Sequence, residues 1–108
     1  MKKPNIGITI GDYNGIGPEV AIKSLQNKDI LKMCNPFLIA SKAVISSLNI
    51  QIDKRVHVIE SNSEVRLDPG KPTIHSGIAS LEYISKGIDL VNKNEINCLV
   101  TAPISKTA

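Results

Sequence analysis

Two short stretches, near opposite ends of the sequence, hold residue types that can do chemistry. The first, Gly11-Asp12-Tyr13-Asn14-Gly15-Ile16-Gly17-Pro18-Glu19, combines a carboxylate at Asp12, a carboxamide at Asn14 and glycines that let backbone approach a ligand. The second, Thr101-Ala102-Pro103-Ile104-Ser105-Lys106, offers a hydroxyl at Thr101, a rigid proline, and Ser105 beside Lys106. Such a cluster can hold an anionic group by hydrogen bonds and charge. Each stretch also has a plainer reading. Asp12 can simply brace a tight strand-to-helix turn by accepting backbone N–H bonds, and the second stretch can be a capped turn with a solvated Lys106.

The first stretch is neither of the common phosphate-binding loops. Val20 stands where a dinucleotide fingerprint needs its third glycine, and no Gly-Lys-Ser/Thr follows to make a Walker loop.

The elements around these loops alternate. Asn5–Ile10 reads as a strand, with Ile6, Ile8 and Ile10 on one face and the small Gly7 and Thr9 on the other so that a helix can come close. Pro18 suits the first position of a helix running to about Gln26, and Glu19 complements its dipole. Pro36–Ala40 is a second strand, Ser41 an N-cap for a helix through Leu48, and Val56–Ile59 a weaker third strand. The polar stretch Ser61–Lys71 reads as loop. From His75 the apolar residues Ile78, Leu81, Ile84, Ile88 and Val91 recur at helical spacing, which predicts one stripe facing the core; Gly87 weakens that helix, and Asn92–Asn94 ends it. Ile96–Thr101 is the last strand. The order predicts an α/β fold, a mainly parallel open sheet with flanking helices, in which both chemical loops open on one side and the first and last strands are buried. The final strand lacks a covering helix, so residues 1–108 are expected to be the N-terminal part of one α/β domain.

Composition narrows the classes. The 108 residues are 42% apolar with a net charge of +3, and the mean hydropathy is +0.01. The lysines are scattered and the three aromatics do not interleave with arginine, so nucleic acid is not expected as a partner. No apolar run can span a bilayer and no signal peptide precedes the first strand, so the expected compartment is the cytoplasm. Cys34 and Cys98 lack metal-type spacing and read as buried free thiols.

The run Thr9-Ile10-Gly11-Asp12-Tyr13-Asn14-Gly15-Ile16-Gly17-Pro18-Glu19 resembles the opening motif T-P-G-D-P-A-G-I-G-P-E of the 4-hydroxythreonine-4-phosphate dehydrogenase family, and Val100-Thr101-Ala102-Pro103-Ile104-Ser105-Lys106 resembles that family's V-T-A/G-P-I-x-K. Isocitrate and isopropylmalate dehydrogenases share a relative of the first motif, so a fold like theirs is implied; the second motif separates the families. The chain departs at Ile10, Tyr13 and Asn14, where the family often has Pro, Pro and Ala, which puts exact substrate preference in question. The resemblance covers about a third of a typical family member. It implies NAD-dependent oxidation and decarboxylation of 4-hydroxythreonine 4-phosphate in pyridoxal phosphate biosynthesis, in a cytoplasmic homodimer; the alternatives are a related dehydrogenase of 4-phosphothreonate or 4-phosphoerythronate and a non-catalytic α/β binding module. It also implies a divalent metal (Zn, Mg or Co) on three histidines that lie outside this chain. Asp12, Asn14, Gly15, Thr101 and Lys106 are then candidates for a substrate or cofactor loop, and no catalytic residue is expected within 1–108. His57 and His75 match no family motif and are expected to be structural or solvated.

Overall fold

In the computed structural model, which describes residues 2–103, the elements run β1 (Asn5–Thr9), α1 (Gly17–Ser24), α2 (Lys28–Met33), β2 (Asn35–Ala40), α3 (Lys42–Leu48), β3 (His57–Glu60), α4 (Ile74–Asn92) and β4 (Cys98–Thr101). The strands form one wholly parallel sheet in the order β3-β2-β1-β4. The chain steps from β1 to β2 to β3 in one direction, then crosses back through α4 to pair β4 with the other side of β1. That reversal makes the gap between β1 and β4 a topological switch point, where open parallel sheets leave a crevice beyond their carboxyl ends.

α2 was not anticipated from the sequence. The first helix stops at Ser24, and Asn27 caps a second one by accepting hydrogen bonds from the N–H groups of Asp29 (2.8 Å) and Ile30 (3.4 Å).

Period-two alternation sorts the sheet into two faces. Gly7, Ile39 and Leu99 lie under α4, because Cβ atoms placed at Gly7 or Gly87 would each meet the Ile39 and Leu99 side chains. The glycine expected to weaken α4 is therefore where that helix sits down on the sheet: a Cβ at Gly87 would stand 2.5 Å from Leu99 Cδ1. The expected orientation of α4 fails for Ile78, Leu81 and Ile88, while Ile84 and Val91 are partly buried and Val91 packs against the core. The helix buries Ser76, Gly77, Ala79, Ser80, Tyr83, Gly87 and Leu90, while Ile78, Leu81 and Ile88 are exposed along with Ile74. Small residues permit a close approach, and Tyr83 fills the space they leave.

Tyr83 is fully buried, and its hydroxyl shares a 2.6 Å hydrogen bond with the Ser41 hydroxyl. Ser41 does hold the N-cap position of α3, but its side chain is committed to Tyr83 and caps nothing. The next long helix opens on a reciprocal capping box formed by Thr73 and Ser76.

The opposite face carries Ile8, Leu38, Val58 and Val100 in register. Leu38 is fully buried, whereas Val58 and Val100 on the edge strands are about half exposed. Burial of β4 as a whole was expected and is not found: it is an edge strand, mostly exposed, with Cys98 exposed and only Cys34 buried. At the amino ends of the strands, asparagines clasp three of them together. Asn5 N–H donates to Asn97 Oδ1 (2.7 Å), Asn35 Nδ2 to Asn5 Oδ1 (3.0 Å), and Asn5 Nδ2 to the Glu95 carbonyl (3.1 Å).

Candidate functional site

At the carboxyl end of the sheet the two chemical loops meet. Parallel pairing of β1 with β4 aligns Thr9 with Thr101, so the segments that follow leave the sheet side by side. The Ala102 N–H donates to the Thr9 carbonyl at 3.0 Å, and the Asp12 N–H to the Pro103 carbonyl at 3.3 Å. Two glycines make that contact sterically permissible. Gly11 has φ of +73°, and a Cβ there would lie 2.1 Å from the Pro103 carbonyl oxygen; a Cβ on Gly17 would lie 2.3 Å from the Ile10 oxygen and 2.9 Å from that of Pro103. Gly15 is different. Its nearest such neighbour is 3.6 Å away, which leaves its backbone open.

Asp12 is buried, and its Oδ1 accepts the Asn14 N–H at 2.8 Å, while the Gly15 N–H donates to the Asp12 carbonyl at 3.0 Å. This is the bracing turn that residue type alone allowed for. It occupies one carboxylate oxygen and turns Asn14 inward. Asn14 Oδ1 accepts the Asp68 N–H at 2.8 Å, which fixes the carboxamide's orientation. Its Nδ2, like the Thr9 hydroxyl oxygen, is buried with no hydrogen-bond partner among the described residues.

Asp12, Asn14 and Gly15 line one cleft together with Ile16, Gly70, Pro72 and Pro103; its volume is about 220 Å³. That is below the size of a typical whole-ligand site, so it suits one ring or one short hydroxylated segment. Asp12 is the one formally charged residue among those lining it. Thr101 is not part of this cleft. It lines a neighbouring apolar cleft of about 200 Å³ between β4 and α1, with Ile8, Val20 and Val100. Lys106 and Ser105 lie outside the described residues.

Sequence reasoning missed Gly70, from the stretch read only as loop, and Pro72, just after it. Nothing local marks them, since Gly70 is held there by its N–H donating to the Asn14 carbonyl, 56 positions earlier in the sequence. Of the histidines, His57 stacks on Phe37 with ring centroids 4.6 Å apart, and His75 stands 3.9 Å from Glu64 at the surface. Neither faces the cleft. Among the described residues no three His, Cys, Asp or Glu side chains converge as a metal site, so none of them is assigned to a metal.

Comparison with known proteins agrees with this architecture. A protein of Oceanobacillus iheyensis, provisionally named D-threonate 4-phosphate dehydrogenase, is 34% identical over 99% of this chain and 38% of its own length. A protein of the same provisional name from Clostridium botulinum is 33% identical over 96% of this chain. The 4-hydroxythreonine-4-phosphate dehydrogenase of Desulforapulum autotrophicum is 30% identical over 98% of it. The crystal structure of a 4-hydroxythreonine-4-phosphate dehydrogenase from Burkholderia phymatum superposes on 99% of the chain with a TM-score of 0.86 at 24% identity, and so shares the fold. The chain spans about 37% of the length of the curated relatives it matches. Residues 20–108 match the family model of the pyridoxal phosphate biosynthetic protein PdxA, a span that begins just after the glycine loop. On the match over most of its length and the shared fold, this chain belongs to the PdxA family.

Proposed function

We propose that this chain forms one wall of the active site of an NAD-dependent dehydrogenase that oxidises and decarboxylates 4-hydroxythreonine 4-phosphate in pyridoxal phosphate biosynthesis. The observation that carries the reading is the junction of the Gly11–Gly17 loop with Pro103 at the switch point between β1 and β4, where the cleft opens. In the reaction, hydride leaves the secondary alcohol carbon for the nicotinamide and the hydroxyl proton goes to solvent. The resulting β-keto acid then loses carbon dioxide.

This chain's own residues bind and orient. Gly15 and Ile16 present backbone and an apolar side chain to the cofactor or substrate. Asp12 has one carboxylate oxygen engaged by Asn14 and the other available to accept a hydrogen bond from a ligand hydroxyl. Lys106 supplies a positive charge for the substrate's phosphate or carboxylate. A divalent metal would supply Lewis-acid chemistry in such an enzyme; among the described residues no set of side chains fits one. The working form is a cytoplasmic homodimer; among the described residues no helix is long and apolar enough to cross a membrane.

A second reading has a specific observation in its favour. The relatives from Oceanobacillus and Clostridium, at 34% and 33% identity, carry the D-threonate 4-phosphate name, against 30% for the hydroxythreonine enzyme of Desulforapulum. The chemistry is the same, with a hydroxyl replacing the substrate's amino group. Steady-state NADH formation by the full-length protein, with each substrate in turn, separates the two. A higher kcat/KM for 4-hydroxythreonine 4-phosphate supports the first reading, a higher value for D-threonate 4-phosphate the second, and turnover of neither overturns both.

A further inference from the structure

Segment 61–73 crosses the carboxyl end of the sheet between β3 and α4 and has no regular structure over most of its length. It is pinned at both ends, by the Ser61 N–H donating to the Ala40 carbonyl (2.9 Å) and by the Thr73 capping box. Between these anchors, three hydrogen bonds tie it to the glycine loop. The Arg66 N–H donates to the Tyr13 hydroxyl (3.0 Å), the Asp68 N–H to Asn14 Oδ1 (2.8 Å), and the Gly70 N–H to the Asn14 carbonyl (2.7 Å). The donors fall on alternate residues of one segment, while the acceptors are two adjacent residues of the other. Both acceptor side chains are buried, and Tyr13 also belongs to the hydrophobic core. Two of the three bonds need these particular side chains, since neither a proline nor an alanine has a side-chain acceptor.

We infer that Tyr13 and Asn14 act as a latch that holds segment 66–70 in place as a wall of the cleft, and that they thereby set what the cleft admits. Gly70 and Pro72 line the cleft on that side. The segment buries little of its own surface, and Gly70 has a positive φ with no neighbour within 4 Å of a Cβ. Val65 packs partly buried against the core; beyond it, residues 66–70 have little packing to fix them, and the three hydrogen bonds hold their position. Tyr13 and Asn14 are positioning residues. Tyr13 acts through Gly70 and Pro72 alone, while Asn14 also lines the cleft itself; the part of the inference that concerns substrate rests on the proposed dehydrogenase function.

The test pairs two measurements on Tyr13→Phe, Asn14→Ala and the double variant. The first is amide hydrogen exchange, which needs no activity. A latch predicts that either single variant accelerates exchange at Arg66, Asp68 and Gly70 together, by about fivefold or more, because each net hydrogen bond is worth roughly 1 kcal/mol and the three are shared. Amides of β1 and β2 stay protected, which shows that the variant is folded. Acceleration confined to the one amide bonded to the altered side chain overturns the latch. The second measurement is steady-state kinetics in the full-length protein, where the KM for the phosphorylated substrate rises about tenfold in Tyr13→Phe, whose side chain does not line the cleft, while kcat changes by less than about twofold. An unchanged KM despite faster exchange overturns the claim that the latch sets what the cleft admits. If the unaltered protein turns over neither substrate, the proposed function and the substrate claim fall together, while the exchange result still decides the latch.

Discussion

Gly11 is where two physical requirements coincide, and three other glycines separate them. Gly70 has a positive φ of +83° but open space around a Cβ; Gly17 has the close contact at helical φ; Gly15 has neither. Gly11→Ala incurs about 1–2 kcal/mol for a left-handed alanine. Its Cβ would also lie 2.1 Å from the Pro103 oxygen, where real Cβ contacts essentially never fall below 3.0 Å. Backbone cannot yield as a side-chain tip can, so the Pro103 segment must move by nearly an ångström. That movement breaks the Asp12 N–H to Pro103 bond, costing about 1 kcal/mol, and adds overpacking strain of about 1–3 kcal/mol. The expected loss is therefore about 3–6 kcal/mol, against about 1–2 kcal/mol for Gly70→Ala and within about 0.5 kcal/mol of zero for Gly15→Ala. Urea unfolding of the three variants, followed by far-UV circular dichroism, measures the series. If Gly11→Ala were no more destabilising than Gly70→Ala, the tight junction between the glycine loop and Pro103 would be refuted.

Other outcomes follow from the packing. Tyr83→Phe strands the buried Ser41 hydroxyl and should cost about 1–3 kcal/mol in a thermal or urea melt. Burial raises the Tyr83 pKa. The stability gained from its neutral hydroxyl is therefore complete below the ordinary tyrosine value of about 10 and is lost as pH climbs toward the folded value; Tyr83→Phe should flatten that alkaline decline in a pH series of melts. Ile78→Ser on the outward face of α4 should change stability by less than about 0.5 kcal/mol, whereas Tyr83→Ala should cost about 3–5 kcal/mol; similar values for the two would contradict the orientation of the helix. In a timed thiol-modification assay on the native protein, Cys98 should react first, because it is exposed while burial both shields Cys34 and raises its pKa.

Much of the scaffold was legible because local rules act over a few residues. Ile6, Ile8 and Ile10 announced β1, Pro18 and Glu19 announced the start of α1, and the two motif loops were placed at the same end of the sheet. What failed was whatever depends on distant partners. Helical spacing shows that Ile78, Leu81 and Ile88 share a face, but it cannot say which face meets the sheet; Ser76, Ala79, Ser80 and Gly87 win because close approach to Gly7 and Leu99 needs small residues. Exposure of Cys98 follows from the edge position of β4, which only the strand order reveals. The roles of Tyr13 and Asn14 were hidden for the same reason, since their partners at Arg66 and Asp68 lie 53 and 54 residues along the chain. At Asp12 the plain bracing role was visible in the sequence and is present in the fold; the cleft beside it was not.

The strand order also governs when the cleft can exist during synthesis. β1 is made first, but its partner on the cleft side is β4, and the asparagines that clasp those two strands are 92 residues apart. At the ribosome, β1, β2 and β3 can pair in the order they emerge, each closing a modest loop. One flank of β1 then stays unpaired until α4 and β4 have cleared the exit tunnel. Pairing at such separation is entropically slow, and an open flank on a central strand invites association with other nascent chains. Of the pairings among these four strands, that of β1 with β4 is thus the last to assemble, and the time taken to translate α4 adds to the wait of the exposed flank.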